Sequence, residues 1–121
     1  MSAKYLIFYS RDELVRVNPE TIAYFEADGN YTNIIQFNKL KAQVSCSLAK
    51  IEQMIESCYD TPHPVFCRIG KSYIININHV YKINQLKQQL ILSDGRSFAF
   101  QLNVSQGALK ALKEFYRVKK D

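Results

Sequence analysis

The feature that most constrains the fold is a change of period along the chain. From Lys4 to Cys46 the apolar residues come in short runs separated by turn-forming residues. From Leu48 their spacing turns helical, and from Val65 the short runs return. Lys4–Ser10 and Leu14–Val17 flank the turn-like Arg11-Asp12-Glu13 and predict a hairpin. Asn18-Pro19-Glu20 breaks the pattern, because proline brings no ladder donor and restricts the residue before it. Thr21–Ala27, Tyr31–Phe37 and Leu40–Cys46 come next as strands, joined at Asp28-Gly29-Asn30 and at Asn38-Lys39, so the first 46 residues predict a β-meander.

Leu48, Ile51, Ile55 and Cys58 lie on one helical face behind Ser47, a natural N-cap, which predicts a helix over Leu48–Ser57. Asp60–Pro64, with two prolines, reads as a stiff loop. Val65–Arg68, Tyr73–Ile77, Val80–Leu86, Gln89–Leu92 and Ser97–Leu102 predict further strands, with a turn at Ser93-Asp94-Gly95-Arg96. Leu109, Leu112, Phe115 and Tyr116 then mark a C-terminal helix over 105–117. The expected fold is mainly β (α+β): antiparallel strands in packed small sheets, one central helix and one C-terminal helix. At 121 residues this is expected to be a single domain, 1–121 with a core of about 4–117.

Composition narrows the function. An apolar fraction of 47% and a charged fraction of 22% fit a globular chain and exclude wholesale disorder. No run approaches the length of a membrane span, and Tyr5–Tyr9 is too short and aromatic for a signal-peptide core, so a cytoplasmic protein without a membrane partner is expected. Cys46, Cys58 and Cys67 form no CxxC pair, and His63 and His79 stand in unrelated contexts. There is no Walker loop, no GxGxxG, no HExxH and no GxSxG elbow. Glu26 and Asp28 are two residues apart at a strand end, but no histidine accompanies them, and a solvated strand end is the simpler reading. Neither an enzyme nor a cofactor or metal site is expected.

Charge is unevenly spread. Residues 1–60 carry six basic and eight acidic side chains, net −2, and residues 61–121 carry ten basic and three acidic, net +7. Such asymmetry suits a polyanion. Three connections carry side chains suited to nucleic acid. Asn30, Tyr31, Thr32 and Asn33 supply amides and hydroxyls. Arg68, Gly70, Lys71 and Ser72 place two cations about a glycine that permits close backbone approach. Ser105 and Gln106 open the last helix, where free backbone N–H groups suit a phosphate. Singly each is also an ordinary polar turn or cap; their joint presence with a basic second half points to nucleic acid.

Two blocks then carry a resemblance. Ile22-Ala23-Tyr24-Phe25-Glu26-Ala27-Asp28-Gly29-Asn30-Tyr31-Thr32 is similar to the opening signature of the LytTR family, the DNA-binding output domain of many bacterial response regulators. Phe66-Cys67-Arg68-Ile69-Gly70-Lys71-Ser72-Tyr73-Ile74-Ile75-Asn76, continued by Asn78-His79-Val80, resembles the family's F-x-R-x-H-[KR]-S-[YF]-[IV]-[IV]-N core. A Leu90-Ile91-Leu92-Ser93-Asp94-Gly95 turn and a final helix complete the likeness over about residues 4–117.

The resemblance implies a β-built transcriptional regulator, or the output domain of one, whose loops rather than a recognition helix enter the major groove. The implied base contacts fall on Asn30 to Asn33, Arg68 to Ser72 and Gln106, with Ser105 the alternative at the third block. Gly70 stands where many members have histidine. Gln106 stands where arginine is common, exchanging a guanine-type donor fork for an adenine-type amide. The implied partner is double-stranded DNA with two repeated half-sites, bound by a homodimer. No receiver domain is expected within these residues; if the chain belongs to a longer regulator, a receiver domain or sensor kinase is a further partner. The alternative function is a protein-interaction module that inhibits or modulates a LytTR-type regulator.

Three residues carry sharper expectations. Thr32 and Asn33 should lie on opposite strand faces, leaving one of them for DNA. Arg68 is open to a structural role through a carboxylate such as Glu26, and Asn30 to a left-handed turn that uses its side chain locally.

Overall fold

The computed structural model describes residues 5–58 and 65–117. They form antiparallel strands in three small sheets with two α-helices, and the chain divides into two compact units, 1–76 and 77–121. The loop expected over Asp60–Pro64 lies outside the described residues, as does His63.

In the first unit, β1 (Leu6–Tyr9) and β2 (Leu14–Val17) form a hairpin that is a sheet of its own. The meander expected over residues 4–46 is therefore interrupted. Asn18 caps a short 3₁₀ turn, Pro19–Thr21, by accepting from Glu20 N at 2.9 Å, and this turn separates the hairpin from the main sheet. The next five strands are β3 (Ile22–Asp28), β4 (Tyr31–Gln36), β5 (Lys41–Val44), β6 (Phe66–Ile69) and β7 (Tyr73–Asn76). They make one sheet in the order β5-β4-β3-β7-β6. The β4–β5 connection is longer than the two residues expected. Lys39 takes a positive φ of 75°, and Asn38 Oδ1 accepts from Leu40 N.

Helix α1 (Leu48–Cys58) begins where its sequence predicts. Ser47 Oγ accepts from Lys50 N at 3.2 Å, and the Ser47 carbonyl accepts from Ile51 N. Leu48, Ile51 and Ile55 are buried with Phe25, Ile34, Val44, Phe66 and Ile74 from one sheet face and Leu6, Phe8 and Val17 from the hairpin. Phe25 and Phe66 meet edge to face at 5.6 Å.

The second unit starts with a 3₁₀ turn, Ile77–His79, and carries β8 (Val80–Asn84), β9 (Gln89–Ser93) and β10 (Ala99–Asn103) in the order β10-β9-β8, then α2 (Gln106–Arg117). Leu90, Leu92, Phe98, Leu102, Leu109 and Leu112 are buried in it. The Tyr116 hydroxyl donates to the Ile77 carbonyl at 2.8 Å, tying the end of α2 to the start of the unit. The β9–β10 turn is organised by Asp94. Its Oδ1 accepts from Arg96 N, Ser97 N and Phe98 N, and its Oδ2 accepts from the Ser97 hydroxyl. These bonds, the Ser97 hydroxyl first, hold the Asp94 carboxyl well below the usual carboxylate range.

Candidate nucleic-acid interface

Strand register brings two of the three expected loops to one end of the five-stranded sheet. Asp28 pairs with Tyr31, so Gly29-Asn30 is a two-residue hairpin loop. Gly29 adopts φ +62°, which a glycine takes without a Cβ clash. On the other side of β3, Glu26 pairs with Tyr73, so the turn Gly70-Lys71-Ser72 emerges beside that hairpin loop. The Ser72 carbonyl accepts from Ala27 N at 2.8 Å and fastens the turn to β3. Gly70 has φ +60° and is exposed, as are Lys71 and Ser72. Among the described residues, Lys71 has no ion pair and Asn30 no side-chain hydrogen bond. Asn30 does not take the left-handed conformation; the glycine before it does, which leaves its amide exposed and unused.

Thr32 and Asn33 do alternate across β4, but both are buried. Thr32 is 0% exposed and its Oγ1 donates to the Cys46 carbonyl at 2.6 Å, tying β4 to the segment that leads into α1. Asn33 is 3% exposed, in register with Glu26 on one side and Gln43 on the other. Its Nδ2 lies 3.3 Å from Asp28 Oδ2 and 3.5 Å from Glu26 Oε1, and its Oδ1 accepts from Gln43 Nε2 at 3.0 Å. The expectation that one of the two points outward is therefore corrected: Thr32 and Asn33 hold the hairpin from inside.

Arg68 does meet a carboxylate, but a different one: it pairs with Glu52 on α1 at 3.1 Å rather than with Glu26. Register explains this. Arg68 lies opposite Ile74, on the α1 side of the sheet, whereas Glu26 lies opposite Tyr73 on the other side. Tyr24 and Tyr73 share that other side and meet edge to face at 5.9 Å. Burial first, then the Glu26 charge, pushes the Tyr24 phenol up to about 12.

The third expected segment lies in the second unit. The Val104 side chain is buried and its N–H donates to the Gln88 carbonyl at 3.0 Å. Ser105 is the N-cap of α2: its Oγ accepts from Ala108 N at 3.3 Å and its carbonyl from Leu109 N at 3.0 Å. Gln106 is the first residue of α2, exposed and, among the described residues, without a side-chain partner. Lys110, Lys113 and Arg117 are exposed along the same helix, with Lys113 Nζ on Gln85 Oε1 at 3.2 Å and Arg117 paired to Glu114 at 3.1 Å.

Among the described residues no group of three or more His, Cys, Asp or Glu side chains could hold a metal ion. No helix there is long and apolar enough to cross a membrane. Asp28 and Gln43, a carboxylate and an amide, stand beside Asn33; Asp28 opens the expected first loop without an assigned role, and Gln43 was not expected at the site. Period-2 alternation places Glu26 and Asp28 on one face of β3, and strand register adds Asn33 and Gln43 to that face.

The LytTr DNA-binding domain family matches residues 12–117, and the chain belongs to that family. Among solved structures, the fold is similar to the LytTr DNA-binding domain of a protein described as a putative methyl-accepting/DNA response regulator from Bacillus cereus. That match has a TM-score of 0.65 at 21% identity and covers 93% of this chain and 96% of the other. No curated protein matches the sequence. A LytTr domain is a DNA-binding module of transcription regulation, and double-stranded DNA is its partner.

Proposed function

We propose that this protein binds duplex DNA sequence-specifically by inserting loops into the major groove, as a bacterial transcriptional regulator or the output domain of one. The observation that carries this is the sheet end at which Asn30 and Lys71 stand exposed and unpartnered among the described residues, on turns that strand pairing and the Ala27–Ser72 bond hold rigid. Loops mounted on paired strands present side chains without a large ordering entropy on binding. Lys71 can donate to guanine or to a phosphate, and Asn30 can pair with adenine. Gln106 probes an adenine edge from the start of α2, where free backbone N–H groups suit a phosphate. Arg68, held by Glu52, and Ser72 grip the backbone, and Gly70 lets it come close. Tyr31 is half exposed and adds a hydroxyl at the same hairpin. The site is completed by two repeated half-sites bound by a homodimer, in the cytoplasm.

Selection from random duplexes tests this directly, and a single enriched sequence repeated at fixed spacing is the expected result. Neutralising about four to six phosphates per domain gives a log–log salt slope of about −4 to −5. No enrichment with a nearly flat slope would overturn the proposal in favour of a protein-interaction module.

A further inference from the structure

We infer that Asp28 is a specificity-determining residue that accepts a hydrogen bond from a base amino group, cytosine N4 first. This rests on the DNA-reading function proposed above. Asp28 is the last residue of β3, exposed, directly before the Gly29-Asn30 loop, at the sheet end where Lys71 emerges. A carboxylate among loops that approach phosphates weakens binding to any duplex unless a donor meets it. In the major groove the matching donors are the exocyclic amines, and carboxylates pair with cytosine N4.

The carboxylate is also aimed. Its Oδ2 is held by Asn33 Nδ2 at 3.3 Å and Gln43 Nε2 at 3.4 Å, and Gln43 Nε2 also donates to Asn33 Oδ1 at 3.0 Å. Asn33 is buried, so the clamp is anchored inside the sheet. Oδ1 has no partner among the described residues and is left to accept. Two fixed amides on one oxygen and none on the other make a one-sided acceptor. Asn33 thereby becomes a positioning residue for a base contact made by its neighbour.

The test is duplex selection with the full chain and three variants, Asp28→Asn, Gln43→Leu and Lys71→Ala, each first shown to melt like the parent. The parent should enrich a C·G pair at one position, and replacing that pair should weaken binding roughly fivefold to tenfold. Asp28→Asn should flatten the preference at that position alone and leave or raise affinity for scrambled duplexes. Gln43→Leu keeps the charge and should flatten the same position partially. An unchanged consensus in Asp28→Asn, or a uniform loss on all sequences, overturns the role of Asp28. If Lys71→Ala relaxes its own position in the same experiment, the DNA-reading function stands without it. If the parent enriches nothing, both fall.

Discussion

The turn Gly70-Lys71-Ser72 and the segment Asn103–Gln106 present similar chemistry but are held in different ways. The first is braced on two sides, by the β6–β7 ladder and by the bond from Ala27 N to the Ser72 carbonyl. The second leaves the β9–β10 ladder at Asn103 and is then braced by one backbone bond from Val104 and by a helix cap. A side chain at a sheet end inherits the rigidity of a hydrophobic core, whereas one at a helix start inherits the stability of a cap. These supports differ several-fold in energy.

The largest effect should come from the core beneath the first turn. Phe25→Ala removes a fully buried ring packed edge to face on Phe66 and should lower stability by about 3–5 kcal/mol in denaturant unfolding. If duplex affinity survives at temperatures where the variant is still folded, the sheet is not what aims the turn. Thr32→Val keeps the shape but orphans the Cys46 carbonyl, and a loss of about 1–3 kcal/mol is expected by the same measurement.

On the binding side, Lys71→Ala and Gln106→Ala should each cost about 1–3 kcal/mol on the preferred duplex and far less on a scrambled one. Fluorescence anisotropy with both duplexes decides this, and equal losses would make either residue a backbone contact. Ser105→Ala should weaken the start of α2 by about 1 kcal/mol, seen as a lowered helical signal on thermal melting. Smallest of all, Arg68→Met should change stability by about 0–1 kcal/mol, because its partner Glu52 is itself 42% exposed.

The sheet end and the cap were unequally legible in the sequence. Strand alternation, the Gly29-Asn30 turn, the Ser47 cap and the α2 stripe all arise from local pattern, and the observed elements start and stop close to their expected places. Strand order does not arise from local pattern. That β7 inserts beside β3, and that β1–β2 stands apart, depends on pairings between residues far apart in the chain, such as Tyr24 with Ile75. The departures at the site come from the same source. Arg68 finds Glu52 because it shares a sheet face with α1, and the Asn33 amide is used internally because Glu26 and Gln43 flank it across two ladders. Register, not residue type, decides which polar groups are used inside the protein.

Gly70 gives the molecule an adjustable position. The residue is exposed, its φ is +60°, and it directly precedes Lys71 in a turn whose two ends are fixed by strand pairing. Histidine and asparagine tolerate this conformation better than most side chains, at a cost of about 1 kcal/mol. Under the DNA-reading function proposed above, exchanging bare backbone for a ring or an amide at the centre of the turn is expected to alter the operator preference.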